Sequence, residues 1–433
     1  MVRWSDSQVP MLALVAAFAA ALGGAGCVST TVIQTGAVTA QQAEVELPEE
    51  QLLDVGITVF DPGLPTPEEK EATKQKKNTV SISESVRNAE ARYIPYVLSE
   101  TLQQTNHWGA VRVIPSASNS VDLTVSGAIL HSDGERLSLR VEARDATGRL
   151  WFEKEYDHLT GQLSYRDSLP LNQQRLDPFQ DLYNIIANDL ALAMEQITPE
   201  QRVAIRQVAE LRFAGDLSPE AFGDFLAEDG GLYKARRLPA YSDPMVARMR
   251  RIREREYLFF DTLDQHFQTF AQEMDVPYDE WRKYTYDEVI TLREIRRQAL
   301  AHKLIGSAAI AGGLFVNTDS RAGSLAEWTA ITGGIAALKV GIDKSRQSRL
   351  HAAALEELNG SFEAEVEPMV VEIEGQTVTL QGSLDSQFDE WRTILRDIYS
   401  LETGETFSTA SDNGESGTSS AASGQGTGES APR

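Results

Sequence analysis

A single cysteine, Cys27, stands in a chain of 433 residues. One thiol cannot close a disulfide within the chain or build a thiolate metal cluster, so stability has to come from packing. A surplus of positive charge is missing too. Lysine and arginine together number 40 against 64 acidic residues, a formal charge of −24. Nucleic acid needs a basic face to neutralise phosphates, and is excluded as a ligand on that ground. Catalytic signatures are absent: there is no nucleophile elbow, phosphate-binding loop, dinucleotide fingerprint or paired-histidine zinc motif. The six histidines, His107, His131, His158, His266, His302 and His351, never fall at metal-ligand spacing. Nothing in this pattern implies a cofactor, and the expectation is a non-enzymatic protein. Among enzymes, a peptidoglycan hydrolase built on paired carboxylates is the one form left open, because acidic side chains are abundant.

What is present begins with Met11 to Leu22, an apolar run close to a signal-peptide core and short of the ~20 residues that span a bilayer. Gly23, Gly24, Ala25 and Gly26 follow, then Cys27. This arrangement resembles the bacterial lipoprotein signal, which implies removal of residues 1–26 and acylation of Cys27 by diacylglycerol and palmitate-like chains. That family usually carries a branched apolar residue three places before the cysteine, where Gly24 stands here. The alternative is an ordinary secretory signal that leaves a free thiol. Lipidation is the reading preferred, since an unpaired thiol in an oxidising space is a liability. Several acyl chains at ~0.8 kcal/mol per buried methylene form a lasting anchor. Val28 follows the cysteine, which by resemblance to enteric lipoproteins implies the outer membrane, on its periplasmic face; the inner membrane and the cell surface stay open.

Residues 27–51 are polar and read as a lipidated flexible tether. An α/β domain is expected over 52–160. Asp54 to Phe60 reads as a strand ended by Asp61-Pro62-Gly63, a Lys-rich insert runs to Ser83, and Glu84 to Thr105 has helical spacing with Pro95 inside it, where a kink or restart is expected. Ala110 to Ile114 is a second strand. Val121, Leu123 and Val125 alternate, Asp133-Gly134 makes a turn, Leu137, Leu139, Val141 and Ala143 alternate again, Thr147-Gly148 turns once more, and Arg149 to Tyr156 closes a meander. This path, and above all Val121 to Gly127 followed by Leu137 to Trp151, resembles the small α/β domain of envelope lipoproteins and periplasmic assembly factors. That group includes the TolB amino-terminal domain, the curli-secretion lipoprotein and the penicillin-binding-protein activators. The resemblance implies a docking surface facing an envelope protein or peptidoglycan.

Residues 161–303 read as a helical region, giving an α+β chain overall. Asp177-Pro178, Thr198-Pro199, Ser218-Pro219 and Asp243-Pro244 each set a capping side chain before a proline, and Thr198 with Gln201 makes a capping box. Met245, Met249, Ile252, Phe259, Leu263, Phe267, Phe270 and Met274 keep a three-four spacing, interrupted near Glu256. This helix is expected to pack along a second one running from Tyr278 to Leu304, with their interleaved arginines and glutamates on a solvated or salt-bridged face.

Residues 304–342 hold two glycine- and alanine-rich apolar stretches. Gly312 and Gly313 in the first, and Gly333 and Gly334 in the second, permit close helix–helix or membrane contact, within one chain or in a homo-oligomer. The first stretch, Leu304 to Val316, is 13 residues and about 20 Å of helix, against ~30 Å of hydrocarbon. A buried hairpin is therefore preferred to an inserted one. Residues 343–401 read as a helix, a β-hairpin and a helix, and 402–433 as a disordered tail. The expectation is a lipid-anchored envelope docking or assembly factor. The alternative is a membrane-inserting or pore-associated protein acting through 304–342.

Overall fold

The computed structural model describes residues 32–34, 37–66, 84–165, 176–240, 242–312, 353–354, 356–357, 369–373, 376–380 and 383–403. The signal peptide, Cys27, most of the Lys-rich insert, nearly all of 313–368 and the tail beyond 403 lie outside the described residues.

The fold is α+β. A six-stranded sheet is built from β1 (Val32–Gln34), β2 (Val55–Thr58), β3 (Val111–Ile114), β4 (Leu123–Ser132), β5 (Arg136–Asp145) and β6 (Leu150–Leu159), in the order β1-β6-β5-β4-β2-β3. The long strands β4, β5 and β6 form the expected antiparallel meander, with turns at Asp133-Gly134 and Thr147-Gly148. β2 pairs in parallel with both β3 and β4. Between β2 and β3 the crossover is α1 (Glu84–Gln103), which runs through Pro95 as one element and does not restart there.

Alternation puts Leu123, Val125, Leu137, Leu139, Val141 and Ala143 on one face of the meander. They are covered by α1 and by α2 (Gln180–Glu195), which brings Phe179, Leu182, Tyr183, Ile186 and Leu190 into the same core. Arg140, Glu142, Arg144, Glu153 and Glu155 take the opposite face, with Arg140 ion-paired to Glu155 at 2.8 Å. One face of the sheet is thus apolar and covered, and the other is charged.

The segment expected to be a flexible tether is docked. β1 pairs in parallel with the last turns of β6, Val32 opposite Tyr156. Beyond it, Asp181 accepts from Val38 N at 3.0 Å, Asn184 donates to Val38 O at 2.7 Å, and Asn188 accepts from Gln41 N at 2.8 Å. One side of α2 carries an amide or carboxylate at each turn, and these satisfy a backbone that would otherwise need water.

Three of the four capping prolines open their helices as expected; α2 begins later, at Gln180, with Phe179 at its cap and Asp177 two residues upstream. Thr198 and Gln201 form both bonds of the capping box at the start of α3 (Pro199–Leu217). Asp177 and Asp243 accept from Phe179 N and Met245 N, while Ser218 caps a single turn, Pro219–Phe222. A hairpin unforeseen in the helical region follows, β7 (Leu226–Asp229) and β8 (Leu232–Ala235), turned by Gly230 and Gly231, both at positive φ.

The larger departure is α4. Two helices were expected to pack on each other; one helix runs from Pro244 to Gly312, through Pro277 and across the expected boundary at residue 304. At 1.5 Å per residue its 69 residues span about 100 Å. The stripe from Met249 to Met274 is buried as the spacing requires, yet its partners lie elsewhere in the chain. Phe259, Phe260 and Phe267 meet Val113 and Ile114 of β3, together with Phe388, Trp391 and Leu395 of α5 (Leu384–Thr403). Phe270, Met274, Tyr278 and Trp281 pack on Val86, Ala89 and Tyr93 of α1. Because both sides of Pro277 have a continuous apolar bed, tertiary burial outweighs the ~3 kcal/mol that an interior proline costs. Asp264 of α4 accepts Val113 N at 2.9 Å, so the helix also closes the β3 edge of the sheet. The expected C-terminal hairpin is present as β9 (Met369–Ile373) and β10 (Gln376–Leu380).

Candidate functional site

Two buried polar joints fasten α4 to the α/β domain, and a pocket adjoins the first. The loop between β3 and β4 carries Ser118, Ser120 and Asp122, all buried. Ser118 and Ser120 share a hydrogen bond at 2.8 Å, and Ser118 Oγ donates to Glu256 of α4 at 3.4 Å. The Ser120 carbonyl accepts from Arg253 Nη2 at 2.6 Å and from the Tyr257 hydroxyl at 2.7 Å. Asp122 accepts Asp54 N at 2.9 Å and lies 3.6 Å from both Arg206 and Arg253.

Glu256 and Asp122 are fully buried carboxyls. Burial pushes Glu256 up to about 7, opposed by the Arg392 and Arg253 charges. Burial likewise raises Asp122 to about 6, against the lowering field of Arg253. A carboxyl inside the fold disfavours its charge unless a cation touches it, and here the guanidinium donors go largely to a carbonyl. Glu256 was expected on a solvated or salt-bridged face. It is instead the residue at which the buried stripe of α4 turns polar, so the break in the three-four spacing was itself the signal.

The second joint is built on Arg282, whose guanidinium lies 2.8 Å from Asp177, 3.4 Å from Asp279 and 4.1 Å over the Tyr278 ring. Glu90 of α1 accepts from Ser132 at 2.5 Å and from Tyr278 at 2.8 Å. At Gly134 any Cβ would collide with the Arg282 carbonyl and Tyr286 N, so this glycine lets the β4–β5 turn touch the helix backbone. No sequence spacing links Glu90, Asp177 and Arg282; only the fold brings them together.

A pocket of about 250 Å³ opens where the charged face of the sheet meets the β3–β4 loop and α3. Thr124, Ser126, Glu142 and Arg144 form its strand wall, with Ser118 and Arg212 across from them. Arg144 is 2.8 Å from Glu142 and donates to Gly148 O at 2.9 Å. Arg212 donates to Ala146 O at 2.8 Å and lies 4.2 Å over Tyr233 of β8. Asp145 accepts from Thr147 N and from Trp151 Nε1, both at 2.8 Å. The chemistry on offer is polar recognition by guanidinium and hydroxyl groups.

The residues singled out from sequence do not converge. Gly312 is the last residue of α4, whereas Cys27, Gly313, Gly333 and Gly334 lie outside the described residues. His131 pairs with Asp133, and His158 is buried against Phe179, which lowers its pKa. Among the described residues no group of three histidine, cysteine or acidic side chains could hold a metal ion, and no helix is long and apolar enough to cross a membrane. Sequence reasoning missed Asp122, Arg212 and Arg282, each an ordinary charged residue until the loops around it are placed. No family model, no curated protein and no solved structure matches this chain.

Proposed function

We propose that the protein is a non-enzymatic envelope lipoprotein, anchored to the outer membrane through acylated Cys27, that docks a periplasmic partner on its α/β domain. The supporting observation is the meander's charged face. On this face β5 and β6 present paired charges and β4 presents hydroxyls, with β4 and β5 lining the polar pocket, while the apolar face and the β3 edge are covered by α1, α2 and α4. A sheet finished on one side and open on the other is a surface suited to a partner. The anchor reading adds a distance. Cys27 lies five positions before Val32, so about 18 Å of extended chain at most separates the lipid from β1. The sheet would then work close to the bilayer.

Site-specific photocrosslinking in intact envelopes tests this. A crosslinker at Glu153, on the open face, is expected to trap one defined partner that a crosslinker at Leu192 of α2 does not. Equal capture at both positions, or capture of abundant porins and lipid alone, overturns the docking reading.

A second reading has support of its own, because α4 continues for 19 residues past Arg293, the last of its residues seen ion-paired to the domain, into the apolar Leu304 to Gly312. Such an arm favours a protein that inserts residues 304–342 into a membrane. Carbonate extraction of the Cys27→Ala form separates the two: release into the supernatant is expected for docking, and retention in the pellet for insertion.

A further inference from the structure

The pocket on the charged face has an uneven balance of donors and acceptors. Glu142 is neutralised by Arg144, and Asp145 is engaged by Thr147 and Trp151. Arg212 has no carboxylate within ion-pair distance among the described residues. It is nevertheless fixed, by the Ala146 carbonyl at one nitrogen and by the Tyr233 ring 4.2 Å from its centre. A guanidinium has five N–H donors in a rigid fork, so those not used on Ala146 remain available in a set orientation. Thr124 and Ser126, two residues apart on one face of β4, line the same space and make no hydrogen bond through their hydroxyls among the described residues.

We propose that this pocket holds the C-terminal carboxylate of a peptide, gripped by Arg212 and by the hydroxyls of Thr124 and Ser126. The inference rests on the docking reading and names what is recognised. Arg212 offers a single guanidinium fork, which matches one carboxylate; a phosphate dianion calls for more positive charge than a lining that also holds Asp145 supplies. Ala117, Val121 and Ala146 supply an apolar wall for a small terminal side chain. A space of about 250 Å³ gives room for a chain end. Terminal carboxylates are a recurrent handle in peptide recognition because every partner chain has one, and the hydrogen-bonding groups around it confer selectivity.

The test uses the full chain with Cys27→Ser and two probes, N-acetyl-Gly-Ala-Ala as the free acid and as the carboxamide, titrated calorimetrically. The free acid is expected to bind at least about ten-fold more tightly than the amide. Arg212→Lys is expected to lose about ten-fold, and the paired Thr124→Val and Ser126→Val changes several-fold. Neither hydroxyl makes a hydrogen bond among the described residues and valine suits a strand, so an unchanged unfolding curve separates lost binding from lost structure. Equal binding of acid and amide, no binding of the acid, or tighter binding of inorganic phosphate overturns the proposal. A partner that crosslinks at Glu153 after its own C-terminus has been amidated would sink the carboxylate site and leave the docking reading standing.

Discussion

The two joints that hold α4 differ in how their charges are compensated. At Arg282 the cation lies against Asp177 at 2.8 Å, with Tyr278 beneath it and Asp279 one turn away, so a buried cation has acids and a ring at contact distance. At Glu256 neither neighbouring cation makes an ion pair with the acid: Arg392 lies 3.1 Å from Asp216, Arg253 gives its donors to the Ser120 carbonyl, and the acid receives a long bond, 3.4 Å, from Ser118. Burial therefore decides the protonation of Glu256, and it rises to about 7. The lesson is that a buried charge is settled by the group that touches it, and total charge nearby matters less. At the middle of the helix the joint rests on a guanidinium whose charge is held by burial among acids and rings, and nearer its start on a carboxyl that titrates near neutrality.

Removing the cation from the compensated joint has the largest expected effect. Arg282→Ala leaves Asp177 and Asp279 buried without their partner, and the cost of such an orphan is about 3–5 kcal/mol. Urea unfolding measures it. A loss under about 1 kcal/mol would mean that water enters the joint and that the two joints are energetically alike.

The next effect is of opposite sign and concerns the helix between the joints. Pro277 removes one backbone donor and crowds the carbonyl of Glu273. Pro277→Ala restores both, and is expected to stabilise by up to about 3 kcal/mol, read in the same unfolding experiment. A destabilised variant would show that the packing of α4 on α1 depends on the geometry Pro277 imposes.

Much of this architecture was legible before any coordinates. The meander follows from period-two alternation at Leu123, Val125, Leu137 and Leu139, and the helix starts follow from Thr198 and Asp243 before proline. Such signals are local, decided within four residues of chain. The continuity of α4 was not legible, because Pro277 speaks locally for an ending while Phe270, Met274 and Trp281 are held by α1, nearly two hundred residues earlier in the chain. The docking of Val38 and Gln41 was hidden for a related reason, since polar composition describes a free tether and a backbone bound to Asn184 and Asn188 equally well. Glu256 falls between the two. Its place in an apolar stripe marked it as anomalous, yet only the β3–β4 loop explains how the anomaly is accommodated.

The smallest expected effect is also the one that reads the uncompensated joint directly. Unfolded, Glu256 titrates near 4.3; folded, it holds its proton up to about 7. Between those values the folded state binds a proton that the unfolded state has released, so stability falls as pH rises through the window, and is fully restored below it. Glu256→Gln keeps the shape and an oxygen able to accept from Ser118, and removes the titration. Near pH 5 the two proteins should unfold within about 0.5 kcal/mol of each other. At pH 8 the variant should be the more stable by about 2–3 kcal/mol, the lowering fields of Arg392 and Arg253 being already contained in the value of about 7. Asp122, raised to about 6, retains a slope of the same sign in both proteins, so the difference between them isolates Glu256. Parallel stability curves from pH 5 to pH 8 would show that the joint is as well compensated as the one at Arg282.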